Sequence, residues 1–407
     1  MVFRVLSSLV SSRLRVAGIL VLLALAVLSS VVRVHLYGHF EGIYVLKTRP
    51  GWVEITDDLI FGDEGRLLFA LPAEPIIRFL RGDVSHAKDA PYREYEWFRS
   101  DGSGFVRAYF PDGTEFLTCM SRFLDSGGNV TKGLFVGGAL PFDLKDSRRI
   151  SQNESGMAFF DGNRWNHLWC NVNESISSWK HPEAALPPSS WRFLGSGVVK
   201  ETGDELVIAS SHEVVLDGEP VRIDRHAFFK SGTRYVALAI RITNTGKSPT
   251  GFFYVYGDEP WVGEYGSSAG NVGWVRDRLV PYEGTIDTRA YRWAGYFHYG
   301  NEAAGESHAY SGFANFIEWQ GSLCPDLAYF SNRIGFFARE KDRVPLADAN
   351  NRVLFLQWGP RLLNPGQSET IILSIGMADR DPRTGFPVKP DTTFDAAGYA
   401  SLLATGI

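Results

Sequence analysis

A chain of 407 residues with 44% hydrophobic and 21% charged residues buries a large core, which excludes an extended disordered protein. The formal net charge of −5 supplies no basic field, and nucleic acid is excluded as a partner on that ground. With 28 Phe, 16 Tyr, 11 Trp and 42 Gly, the composition favours many short strands joined by tight turns over helical bundles.

The N-terminus carries Arg4, Arg13 and Arg15 with no acid before Glu41, then an uncharged run from Val16 to Val32 that ends at Arg33. That run of 17 residues, at ~1.5 Å each, spans ~25 Å, the lower limit for crossing a bilayer. Residues 16–32 therefore predict a membrane anchor. The arginine asymmetry predicts a cytosolic segment at 1–15 and a periplasmic or extracellular remainder. Ala24 and Ala26 form an A-x-A pattern inside the run, so a cleaved signal segment is the alternative. The three cysteines, Cys119, Cys170 and Cys324, allow at most one bridge, and no zinc spacing is present.

From Tyr44 onward strand signals follow one another. Phe105 to Met120 reads as two alternating runs about a Pro-Asp-Gly-Thr turn, and Asp161-Gly162 separates two further runs. Between Gly197 and Gly246 a meander breaks at 202–204, 217–218 and 231–233. Within it Tyr235 to Ile242 places Val236, Leu238, Ile240 and Ile242 on one face, predicting a half-buried strand. Later strands are expected at 334–338, 353–358 and 370–377, and a helix at 394–404 behind Thr393. The Pro-rich stretch His181 to Ser190 suggests a boundary between a β region at 41–180 and a β-sandwich region at 191–407, although the two could form one domain. No phosphate-binding glycine motif and no long helical pattern interrupts the strands. The expected fold is all-β, a large antiparallel β-sandwich behind one N-terminal transmembrane helix.

The patches RYVALAIRITNTGKSP and LLNPGQSETIILSIG resemble the paired sheet pattern of galactose-mutarotase-like super-sandwich domains. The resemblance implies carbohydrate recognition on a concave sheet face. It carries no catalytic residue onto this chain.

Three stretches hold candidate chemistry. The first follows the aromatic strand at 252–256. Asp258, Glu259 and Glu264 are carboxylates of the type glycosidases use in pairs, and Trp261, Trp274 and Tyr265 are rings on which a sugar could stack. The competing reading has the carboxylates capping a turn and the tryptophans packed. The second stretch runs from His298 through Asn301, Glu302 and Glu306 to His308, followed by Asn315, Glu318 and Trp319. It offers acid and base types for epimerisation at an anomeric carbon, or a solvated polar loop. No metal or other cofactor is called for, although Asn301, Glu302 and Glu306 would suit calcium better than zinc. In the third, alternation places Trp165, His167 and Trp169 on one face of a strand, either as a sugar platform or as core.

Two functions fit these features. One is a membrane-anchored extracytoplasmic protein that binds or processes carbohydrate; if an enzyme, it would be a hydrolase or an epimerase. The other is a non-catalytic cell-envelope protein whose sandwich docks a protein partner.

Overall fold

The computed structural model describes residues 32–35, 43–48, 52–56, 84–90, 93–99, 102–120, 156–169, 172–258, 260–263, 270–276, 278–299, 313–332, 352–404 and 407. The chain divides into two compact units, Met1–Val84 and Ser85–Ile407. In the first, β1 (Val32–His35), β2 (Ile43–Thr48) and β3 (Trp52–Thr56) form an antiparallel sheet in that order. Apart from Val32, which opens β1, the predicted anchor at 16–32 lies outside the described residues. Among the described residues no helix is long and apolar enough to cross a membrane.

The second unit opens with a six-stranded meander. Its strands are β4 (Val84–Ala90), β5 (Arg93–Phe98), β6 (Ser103–Tyr109), β7 (Glu115–Met120), β8 (Gly156–Phe160) and β9 (Trp165–Trp169). The β6–β7 hairpin turns at the expected Pro-Asp-Gly-Thr, where Asp112 accepts the Thr114 backbone N–H and hydroxyl. Beyond β10 (Val172–Ser178) come the four long strands of the meander: β11 (Arg192–Glu201), β12 (Glu205–Leu216), β13 (Glu219–Lys230) and β14 (Tyr235–Asn244). The aromatic strand is β15 (Thr250–Asp258). After it lie β16 (Asn271–Val275), β17 (Arg278–Val280), β18 (Gly284–Ile286), β19 (Trp293–His298), β20 (Asn315–Gln320) and β21 (Leu327–Ser331). The last long strands are β22 (Val353–Leu363) and β23 (Ser368–Met377), followed by the short pair β24 (Asp379–Arg380) and β25 (Pro387–Val388). The stretch expected as a strand at 334–338 lies outside the described residues.

These strands make a nine-stranded sheet, β11-β12-β13-β14-β23-β20-β19-β16-β17, and a five-stranded sheet, β10-β15-β22-β21-β18. Every recorded pairing between them is antiparallel, as β-sandwich architecture requires. One apolar cluster joins all three sheets. It contains Leu206, Leu238, Ile240 and Leu373 of the nine-stranded sheet, Tyr254 and Leu356 of the five-stranded sheet, and Trp97 and Trp169 of the six-stranded sheet. Trp97 and Trp169 also donate their indole N–H across the interface, Trp97 to Ser196 Oγ (3.0 Å) and Trp169 to the Gly376 carbonyl (3.3 Å). The Pro-rich stretch 181–190 lies inside this unit, with Leu186 bridged to Ile176 and packed on the core.

Three expectations are corrected. β14 is buried on both faces through its centre, because Phe394, Tyr399, Leu402 and Leu403 close over Val207, Phe228, Ala237 and Ala239 on the side predicted to face solvent. The C-terminal helix, α1, is confined to Ala400–Ala404, with turns at Ala396–Tyr399 ahead of it. β9 departs from strict alternation: Met157 pairs with Trp169 and Ala158 with His167, so Leu168 is an extra residue. That bulge turns Trp169 into the main core while Trp165 packs with Leu117, Cys119 and Ala158 on the other face.

Candidate functional site

The three candidate stretches, far apart in sequence, meet at Gly263. β9 is the edge of its sheet, and the segment after β15 adds to that edge: Gly263 N–H donates to the His167 carbonyl (3.0 Å) and His167 N–H to the Gly263 carbonyl (3.2 Å). Gly263 has φ +97°, which L side chains rarely adopt, and a Cβ there would stand 3.4 Å from the His298 ring. The positive φ, not the space beside the imidazole, is what calls for glycine here. One residue earlier, the buried Asn271 amide clamps Val262. Its Oδ1 accepts the Val262 N–H (2.8 Å) and its Nδ2 donates to the Val262 carbonyl (2.9 Å). With the amide fixed in that orientation, Nδ2 also donates to His298 Nδ1 (3.2 Å), which puts the proton of the neutral imidazole on Nε2. Val262, Gly263 and Asn271, on either side of residues 264–269 in the chain, are thus tied together.

The two histidines differ. His167 is fully enclosed, and burial pushes its imidazole down to about 3, so it is a neutral structural group. His298, 8% exposed, borders the site. Trp261, two residues before Gly263 in the chain, is half-buried, and Asp258 ends β15 opposite Val172 and Leu354. Glu259, Glu264, Tyr265, Asn301, Glu302, Glu306 and His308 lie outside the described residues. Among the described residues no group of three or more His, Cys, Asp or Glu side chains could hold a metal ion.

Trp274 is not presented to a ligand. It is wholly buried, donates Nε1–H to the Asn315 carbonyl (3.1 Å) and packs edge-on against Trp293, with ring centroids 4.4 Å apart. Asn315 and Trp319 are also internal. Asn315 Nδ2 donates to the Leu168 carbonyl (2.6 Å), its Oδ1 accepts the Tyr296 N–H (2.7 Å), and Trp319 donates to the Thr288 carbonyl (3.0 Å). Glu318 lies beside Trp293 on the outer face of the nine-stranded sheet. The chain's own later segment engages its carboxylate, through Lys389 Nζ at 3.2 Å and the Thr392 hydroxyl.

A second polar cluster escaped the sequence reading. Inside the sandwich, Glu174 of β10 receives Arg225 of β13 and the Tyr254 hydroxyl of β15, with the Glu174 and Arg225 side chains 0% and 1% exposed. Arg225 also meets His212 Nδ1 (3.2 Å) and lies over the Trp191 ring, 4.8 Å from its centroid. Burial first, then Glu174, raises the Tyr254 phenol well above its usual range, so it stays protonated as the donor. The cluster ties β13 of the nine-stranded sheet to β10 and β15 of the five-stranded sheet.

No protein-family model and no curated protein matches the chain. Among solved structures it is similar to galactose mutarotase-like proteins. That of Clostridium acetobutylicum has 8% identity and a TM-score of 0.35, covering 73% of this chain and 99% of the other. That of Lactobacillus casei has 7% identity and a TM-score of 0.35, covering 67% and 100%. An aldose epimerase homologue from C. elegans has 10% identity and a TM-score of 0.33, covering 69% and 100%. Likeness at this level transfers no residue and no activity.

Proposed function

We propose that the chain is a membrane-anchored extracytoplasmic β-sandwich protein that binds or processes carbohydrate where its three candidate stretches meet. The observation that carries the reading is their convergence on Gly263. His298 is oriented there by Asn271, half-buried Trp261 lies two residues away in the chain, and Glu264 follows directly. An imidazole of fixed tautomer suits proton transfer at an anomeric centre, and an indole suits the C–H face of a pyranose. Asp258, Glu259 and Glu264 are the proposed acid and base groups, Trp261 and Tyr265 the proposed stacking rings. Asn301, Glu302, Glu306 and His308 are proposed to complete the site from the following loop.

Residues 16–32 are proposed as the anchor, on the arginine asymmetry across the apolar run. Reporter fusions after Gly42 and Ile407, active only outside the cytosol, test the topology. A glycan-array measurement on the protein tests the function. Binding that falls with Trp261→Ala and with His298→Gln supports it, and an array without a positive glycan removes it.

A further inference from the structure

At the opposite end of β15 a second surface has the form of a ligand site. Trp179, just past β10, is 46% exposed although its backbone is fixed by donation of its N–H to the Gly251 carbonyl (3.0 Å). A Cβ at Gly251 would stand 2.5 Å from Trp179 Cγ, 2.6 Å from Cδ2 and 2.8 Å from Cδ1. Within the ring plane Cγ is shielded by its three bonded carbons, so this approach is onto the ring face. One indole face is therefore seated on the glycine Cα and the other is turned to solvent, an arrangement only glycine at 251 permits. The indole N–H meets no acceptor among the described residues. Leu362, paired with Gly251 across β22, is 52% exposed and extends the apolar strip.

The rim is polar and balanced in charge. Lys180, next to Trp179 in the chain, stands 3.7 Å from Asp217, whose carboxylate also accepts the Ser178 hydroxyl (2.6 Å). Lys180 is matched by this carboxylate, so the pair adds no net charge that would select a phosphate or an acidic chain, while it offers a donor and an acceptor for hydroxyl groups. The exposed apolar area, about half of an indole's ~250 Å² plus one leucine, is far below the ~800 Å² per partner of a stable protein interface.

The geometry points to a neutral-carbohydrate binding site at Trp179, in which a pyranose stacks on the open indole face. From Gly251 to Asp258 is seven residues of β15, about 23 Å at ~3.3 Å each, so this platform is distinct from the site around Gly263. No residue is shared between the two, and each stands or falls independently.

The test is affinity electrophoresis and titration calorimetry of the full-length chain, in detergent, with cellohexaose, maltohexaose, xylohexaose and mannohexaose. At least one should bind. Trp179→Ala should weaken it about tenfold or more, Trp179→Phe should retain part of the affinity, and Gly251→Ala should weaken it by displacing the ring. In a His298→Gln background the same Trp179 and Gly251 substitutions should still weaken the binding that remains. A parent protein that binds none of the four at ~10 mM overturns the proposal. Equal affinity of Trp179→Ala and parent overturns it too, as does a change of oligomeric state in Trp179→Ala, which would assign the platform to contact between copies.

Discussion

Breaking the Glu174–Arg225 pair should be among the most damaging polar changes in the chain. Both side chains are withdrawn from water, at 0% and 1% exposure, so protein groups replace their hydration, among them each other, the Tyr254 hydroxyl, His212 and the Trp191 ring. Removing one partner of such a pair leaves an uncompensated buried charge, at a cost of ~3–5 kcal/mol. Glu174→Gln keeps an acceptor for Tyr254 and should fall near the lower end of that range. Glu174→Leu also strands the Tyr254 hydroxyl, which adds ~1–3 kcal/mol. Replacing Glu174→Leu together with Arg225→Met and Tyr254→Phe removes both charges and the phenol at once, leaving His212 of the cluster, and should be less destabilising than Glu174→Leu alone. Urea unfolding followed by tryptophan fluorescence gives the midpoints and slopes for the series. Additive losses, with the triple variant least stable, would refute the assignment of the cluster as one coupled unit.

Trp274→Ala should destabilise by ~3–5 kcal/mol through the cavity it opens against Trp293 and Phe386, read as a lower urea midpoint; an unchanged midpoint would mean that the ring is not core. His167 has a folded value of about 3 against 6.5 in the unfolded chain. Its unprotonated state costs nothing above pH 6.5, and stability is lost as pH falls from 6.5 toward 3, by up to about 1.4 kcal/mol per pH unit. The stability difference between parent and His167→Gln should therefore move in the variant's favour across that window, and a difference independent of pH would contradict the burial argument.

Much of the scaffold was readable because turn chemistry is local. Asp112-Gly113, Asp161-Gly162, Asp217-Gly218 and Gly232 each mark a reversal that the backbone makes, with Asp217 and the glycines at positive φ where the turns demand it. What hid was set by partners remote in sequence. The alternation of β14 predicts one wet face, and nothing near Ala237 or Ala239 announces that Phe394, Tyr399 and Leu403 will cover it. Trp274 reads as a free aromatic in a glycine-rich stretch, yet it packs with Phe386, more than a hundred residues later. The bulge at Leu168 breaks a period that sequence reading takes as strict. Glu174 and Arg225 lie 51 residues apart with no motif between them, and only their strands' places in facing sheets bring them together. The three candidate stretches were recognised one by one by residue type, but their meeting at Gly263 follows from an edge bridge that no spacing encodes.

The central claim is that carbohydrate is held near Gly263, where Asn271 orients His298 and Trp261 lies two residues away in the chain. It is tested most directly by calorimetric titration of the full-length chain in a Trp179→Ala background with the glycans positive on the array, before and after adding His298→Gln or Trp261→Ala. The account predicts saturable binding that either addition weakens about tenfold or more while the thermal melt is kept. Saturable binding that neither substitution alters, or no binding in that background, would contradict it.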